Sequence, residues 1–214
     1  MRRGSISLQV FAISALWLVV ALVATAYLLS ELYSRALDTS LGETLDFQIE
    51  SLVGLALENG PNAVEGTTLG DPRFARPASG WYWQIAEAES GQAVAFSQSL
   101  VGSVLPEIPQ KPELGGRATA NTRDAYGTNV RVIARRLAIN GTPYDFEVTG
   151  NLDEIYALVA DFRGQTFIVV GAVGVMLAAM SGRVARFALR PVKRLRQALE
   201  EVREGEAEKV TGTY

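Results

Sequence analysis

Charged residues are absent from two long stretches of this chain, residues 4–30 and residues 164–182. The second, GQTFIVVGAVGVMLAAMSG, has nineteen residues, enough at ~1.5 Å per helical residue to cross a ~30 Å hydrocarbon core. A burst of basic residues follows at once: Arg183, Arg186, Arg190, Lys193, Arg194 and Arg196, with no acidic residue among them. Beyond Pro191, the apolar residues Val192, Leu195, Leu199 and Val202 recur at intervals of three, four and three. That spacing is the a/d seam of a coiled coil. The plain alternative is an amphipathic helix lying on the membrane surface. Gly205 is expected to end this helix, leaving 206–214 as a polar connector. In the first stretch, Arg2-Arg3 and Ala24-Thr25-Ala26 allow a cleaved signal peptide. Its length, beyond the ~7–15 residues of an ordinary signal core, favours an uncleaved transmembrane helix over residues 8–30.

Between the two runs the pattern changes period twice. Leu37, Leu41, Leu45, Ile49, Leu52 and Ala56 advance by three or four, giving one apolar stripe and a helix over about 31–57. Asn59-Gly60-Pro61 is a helix stop: an αL-tolerant residue and then a proline. Residues 59–80, rich in Gly, Pro and Thr, read as loop. Trp81-Tyr82-Trp83-Gln84-Ile85 predicts an aromatic strand with Trp81, Trp83 and Ile85 on one face. A second strand at 93–97 follows across Glu89-Ser90-Gly91-Gln92, and the proline-rich residues 104–117 read as loop. Asn140-Gly141 predicts a type I′ hairpin turn. Beyond it Tyr144, Phe146 and Val148 alternate with Asp145, Glu147 and Thr149. Counting back from the turn sets Leu137 opposite Tyr144, Arg136 opposite Asp145 and Ile133 opposite Val148, with Arg135 opposite Phe146 as the misfit. Asn140-Gly141-Thr142 is also a glycosylation sequon, but the turn already accounts for Asn140 and Gly141. Asn151 then starts a helix, with Glu154 at the capping-box distance. Only Gly164 separates it from the second apolar run, so one nearly continuous helix is expected to join the sheet to the membrane.

Composition adds an asymmetry. The net charge is −3, yet residues 31–163 carry 18 acidic against 10 basic residues, and the excess of positive charge lies outside both apolar runs. Basic flanks mark the cytoplasmic side of a membrane span, so both termini are expected inside and the centre outside. The chain has no cysteine and no histidine. It therefore holds no disulfide, no Zn²⁺ site of the usual kind, no Ser-His-Asp triad and no phospho-accepting histidine.

Candidate sites are few. Trp81, Tyr82, Trp83 and Gln84 form a candidate ligand-binding cluster, because aromatic side chains give contact area at low entropic cost. The competing reading is core packing on one face and an interfacial tyrosine on the other. The acidic residues Asp71, Glu87, Glu89, Asp153, Glu154 and Asp161 offer oxygen ligands to a divalent cation, but no dense D-x-D-x-D spacing occurs and no metal site is assigned. Gly174, Ala178 and Gly182 fall four apart, a small-xxx-small face suited to a transmembrane dimer contact. Arg183 and Arg186 read as anchors to anionic headgroups, and the basic segment lacks the interleaved aromatics of a nucleic-acid site.

Here the residues resemble a family. A transmembrane helix, the arginine burst, Arg190-Pro191-Val192 and then Leu195, Leu199, Val202 and Gly205 look like the first helix and connector of a HAMP domain. The upstream layout, with Asp71-Pro72-Arg73-Phe74 and Ser79-Gly80-Trp81-Tyr82-Trp83-Gln84-Ile85, is similar to periplasmic sensor regions of bacterial two-component sensor histidine kinases. The resemblance implies a dimeric inner-membrane sensor. Residues 1–7 would be a cytoplasmic tail, 8–30 and 164–182 two transmembrane helices, and 31–163 a periplasmic α+β sensor domain of PAS/PDC-like kind. Residues 183–214 would be a partial HAMP bundle that relays the signal through Pro191, Val192, Leu195, Leu199 and Val202. Its partners would be membrane lipid, a second copy and an unknown periplasmic ligand or ion. The kinase domains of such proteins, with their ATP and Mg²⁺ and their response regulator, have no counterpart here, so no catalytic residue is assigned and the chain is expected to be a sensory N-terminal part. A chemoreceptor or cyclase-type receptor would share this input layout, and a stand-alone membrane-anchored binding protein is the further alternative.

Overall fold

The computed structural model describes residues 6–103, 105 and 108–209, with side chains between 13 and 184 of that range. The chain forms two compact units, Met1–Leu29 with Arg163–Tyr214, and Ser30–Phe162.

Helix α1 (Ile6–Asn59) runs 54 residues without a break, and α2 (Leu152–Lys209) runs 58. Between them in sequence lie five strands: β1 (Trp83–Glu87), β2 (Ala93–Phe96), β3 (Arg117–Arg123), β4 (Asn129–Ile139) and β5 (Thr142–Asn151). They form one antiparallel sheet in the order β2-β1-β5-β4-β3. This corrects the expected architecture. In place of two transmembrane helices flanking an extracytoplasmic PAS/PDC-like α+β sensor domain, followed by the start of a HAMP bundle, the described residues hold two helices with the five strands between them in sequence. α1 stops at Asn59, where Asn59-Gly60-Pro61 predicts, and α2 runs through Gly164 as the one continuous helix expected. The expected end at Gly205 is not observed, since α2 continues to Lys209 and an interior glycine costs a helix only ~1 kcal/mol. By length and composition, segments of both helices (Ile13–Asn59 and Leu152–Val184) suffice to cross a membrane.

In the Ser30–Phe162 unit the stripe on α1 meets the sheet. Leu41, Leu45, Ile49, Leu52 and Ala56 pack against Trp83, Ile85, Ile133, Phe146 and Val148, with Trp81, Phe74 and Leu152 closing the ends. Gly150 permits the close approach: a Cβ there would lie 2.8 Å from Leu41 Cδ1 and 3.1 Å from Leu45 Cδ2. The hairpin register is as expected, with Leu137, Arg136, Arg135 and Ile133 opposite Tyr144, Asp145, Phe146 and Val148. Asn140 (φ 51°) and Gly141 (φ 88°) make the turn, in the positive-φ conformation that a two-residue hairpin needs.

The misfit Arg135 has its reason in α1. It lies on the helix-facing side of β4, 3.8 Å from Glu50. Two companions do the same: Arg131 reaches Asp38 at 2.7 Å and Arg117 reaches Asp46 at 2.9 Å. Three arginines thus fringe the apolar contact on the β3–β4 side. The other face of the sheet is covered by the long connection between β2 and β3. Ile108 packs on Val130, Val132 and Ala134, and Leu100 and Leu105 pack on Tyr82.

Candidate functional site

The four residues of the aromatic segment enter the sheet buried. Trp81, Tyr82 and Trp83 are at most 2% exposed and Gln84 is 6% exposed. Alternation sends the two tryptophans to the α1 side and Tyr82 to the other. Each polar tip has a partner. Trp83 Nε1 donates to the Thr67 carbonyl at 2.8 Å, Trp81 Nε1 to Glu154 Oε2 at 3.2 Å, and the Tyr82 hydroxyl to Asp124 Oδ2 at 2.9 Å. Burial, reinforced by that carboxylate, pushes the Tyr82 hydroxyl far above its usual pKa. The Arg73 guanidinium lies 3.6 Å from the centroid of the Trp81 ring, held there by Asp71, whose carboxyl Arg73 draws below its usual range. These contacts tie the segment into the core.

What the structure builds most densely is the passage from β5 into α2. No linker separates them: Asn151 ends β5 and α2 begins at Leu152. The Asn151 side chain caps the helix, accepting from the backbone N–H groups of Asp153 (2.9 Å) and Glu154 (3.2 Å), as the sequence spacing predicts. Its amide nitrogen donates back to the Ser79 carbonyl at 2.9 Å. Asp153 accepts from Asn129 twice, from the backbone N–H at 3.0 Å and from the side chain at 2.6 Å. Those bonds hold the Asp153 carboxyl below its ordinary pKa. Glu154 receives the Trp81 indole. The first turn of α2 is therefore gripped from β4, from β5 and from the segment leading into β1, and Asp153 and Glu154 also suit the positive end of the helix dipole. Lower down, still in this unit, Tyr33 of α1 stacks on Phe162 of α2 with ring centroids 4.1 Å apart. Sequence reading found the cap but not Asn129 or Trp81 as clamps, because both lie more than twenty residues from their partners.

On the sheet face turned away from α1, Arg136 makes a two-pronged ion pair with the buried Asp145, at 2.6 and 2.8 Å. That pair raises the Arg136 pKa. Two residues on, Glu147 lies between Gln84 of β1 and Ala134 of β4. Burial, with Asp145 adding to it and Lys111 opposing, raises its carboxyl to about 7. Beside this face a cavity of about 500 Å³ opens between the 108–113 segment and β3, lined by Ile108, Lys111, Pro112, Ala118 and Ala120 among others.

The remaining assigned residues fall elsewhere. In the unit of Met1–Leu29 and Arg163–Tyr214, a Cβ on Gly174 would come 3.2 Å from Leu22 Cδ1 of the same chain. Ala178 lines a groove with Ser14, Ala15 and Leu18, and a Cβ on Gly182 would meet nothing within 4 Å. The side chains of Pro191, Val192, Leu195, Leu199 and Val202 lie outside the described residues. Among those described, no three His, Cys, Asp or Glu side chains converge as metal ligands.

Over 201 residues the chain is 30% identical to the signal transduction histidine-protein kinase/phosphatase MprB of Mycolicibacterium smegmatis. That match takes in 91% of this chain and 36% of the relative, so the chain spans little more than a third of the relative's length. A 97-residue part, 42% of the chain, is 30% identical to an alanine–tRNA ligase of Nocardia farcinica, of which it covers 10%. No family model matches the chain, and no solved structure matches it.

Proposed function

We propose that this chain is the sensory part of a membrane-bound two-component histidine kinase. The Ser30–Phe162 unit receives a stimulus on the outer side of the bacterial cytoplasmic membrane, and α2 carries the response inward. The observation that carries this reading is the similarity to a sensor kinase over 91% of the chain, a share too large to leave out the sheet. Three features support it. Two helices are long and apolar enough to span a membrane. The arginines from 183 to 196 mark one end of the second span as cytoplasmic. The join of β5 to α2 has no slack, so a shift of the sheet displaces the helix. The unit works as one of a pair in a homodimer, in contact with lipid, with a small ligand or ion as stimulus. Phosphoryl transfer from ATP with Mg²⁺, and contact with a response regulator, belong to the kinase portion of such proteins.

Coupling of this kind requires an element with two arrangements whose balance the stimulus shifts. The clamp on the first turn of α2 is that element. To test the reading, this chain replaces the matching segment of the M. smegmatis kinase, with fusion points stepped through one helical turn, and autophosphorylation is measured in membrane vesicles. At least one register is expected to support phosphorylation, and Asp153→Ala in that register is expected to shift its level about fivefold or more. Membrane-inserted fusions that are silent in every register would overturn the reading. Full activity indifferent to Asp153→Ala would overturn the clamp's part in it.

A further inference from the structure

Between α1 and α2 lies a cavity of about 340 Å³, lined by Ser34, Arg35, Asp38, Thr39, Ile155 and Tyr156. All six belong to the Ser30–Phe162 unit. Tyr33, the residue before Ser34, stacks on Phe162 and joins the two helices there. What sets this cavity apart is the hydrogen-bonding capacity its walls leave unused. Arg35 engages only Nε, with Glu31 one helical turn before it, and exposed pairs of that kind hold weakly. Its two terminal nitrogens have no partner among the described residues. Asp38 gives Oδ1 to Arg131, which leaves Oδ2 open. Thr44 and Ser51 of the same helix turn their hydroxyls back to the carbonyl four residues before. Those of Ser34 and Thr39 do not, and the Tyr156 hydroxyl is equally unbonded among the described residues.

Charge narrows the class of ligand. Arg35 and Arg131 are offset by Glu31 and Asp38, so the surroundings favour neither a net anion nor a net cation. The open groups are nevertheless sorted along α1. Ser34 and Arg35, which donate, come about one helical turn, ~5.4 Å, before the accepting Asp38. A zwitterion with an anionic end and an ammonium end about one turn apart answers both. Position narrows the class again. Arg35 is five residues beyond Ser30, the last of the first uncharged run, which is about 7.5 Å along an unbroken helix. Where that run crosses a membrane, Arg35 stands in the headgroup layer, which extends roughly 5–8 Å beyond the hydrocarbon core.

We infer that this cavity is a site for the headgroup of phosphatidylethanolamine from the outer leaflet. The phosphate accepts from the terminal nitrogens of Arg35 and from the Ser34 hydroxyl. The ammonium donates to Asp38 Oδ2, with the Thr39 and Tyr156 hydroxyls beside it. A choline headgroup has no N–H to give Asp38, and a glycerol headgroup leaves that carboxylate without a counter-charge. The site touches three elements: α1, the start of α2, and β4 through the Asp38–Arg131 pair. Arg131 is two residues from Asn129, which grips Asp153 in the first turn of α2. An occupant therefore bears on the join between sheet and helix, and lipid composition acts on the same element as the stimulus. This deepens the membrane-bound sensory reading above and rests on it.

To test it, the full chain is purified in detergent with equal amounts of phosphatidylethanolamine, phosphatidylcholine and phosphatidylglycerol, and the retained lipids are identified by native mass spectrometry. One phosphatidylethanolamine per chain is expected to survive activation that strips the other two lipids. Arg35→Ala is expected to lower its retention about tenfold, the weight of one charge-assisted contact. The Arg35 side chain is 74% exposed, so its truncation leaves the fold intact. Asp38→Asn should abolish the preference for ethanolamine over choline. Arg163→Ala removes an arginine beside the second uncharged run but outside the cavity, and should change nothing. Equal retention of the three lipids would overturn the proposal, as would equal losses from Arg163→Ala and Arg35→Ala. Displacement of the lipid by free phosphoethanolamine at matched concentration would overturn the lipid source and give the cavity to a soluble zwitterion. Because no phosphorylation is read, failure here leaves the kinase fusions to be judged on their own.

Discussion

The two faces of the one sheet are built on opposite principles. Towards α1 the contact is dry: Trp83, Ile85, Ile133, Phe146 and Val148 meet Leu45, Ile49 and Leu52, all buried. The ion pairs on that side lie at the fringe, where Arg117, Arg131 and Arg135 meet carboxylates of α1, and Gln48 of α1 is buried. The opposite face keeps its polar groups inside. Tyr82 bonds Asp124, Arg136 bonds Asp145, Thr149 bridges Tyr82 and Gly80, and Glu147 has no such partner. The first face is suited to holding α1 in one place. The second, where Tyr82, Arg136 and Thr149 each depend on a particular partner, is suited to responding when a partner is lost.

The comparison is broken most severely on the dry face. Trp83→Ala removes a fully buried ring from the centre of the core and is expected to cost about 4 kcal/mol, read as a fall in the urea midpoint of unfolding. On the polar face Asp145→Ala strands a guanidinium that is only 22% exposed. Its expected cost is about 3 kcal/mol, and Asp145→Ala together with Arg136→Met should recover part of it. The fringe is the control. Arg117→Ala breaks an ion pair in which both side chains are 45% exposed, and a change within about 1 kcal/mol is expected from the same denaturation curves. Equal costs for Asp145→Ala and Arg117→Ala would erase the distinction between the polar interior and the fringe.

Much of this was legible residue by residue. The two uncharged runs, the stop at Asn59-Gly60-Pro61, the Asn140-Gly141 hairpin with its register and the Asn151 cap all appear where local spacing put them. Each depends on neighbours within a few positions: a helical period, a turn needing positive φ, or a side chain capping its own next turn. The strand β3 was not legible. Its Arg-Ala-Thr-Ala-Asn-Thr-Arg offers only small residues in alternation, and it is a strand because β4 presents an edge to it. Nor does Gly205 end α2, which runs on to Lys209.

What the sequence by itself determined about this protein is therefore its local grammar: where the chain can cross a membrane, where it must turn, and which residues of a strand share a face. The tertiary structure alone decided which partners those faces meet. Arg131 finds Asp38 across 93 positions and Trp81 finds Glu154 across 73. Such pairs carry no periodic trace in the sequence, because their energy arises only after α1 and the sheet have closed on one another.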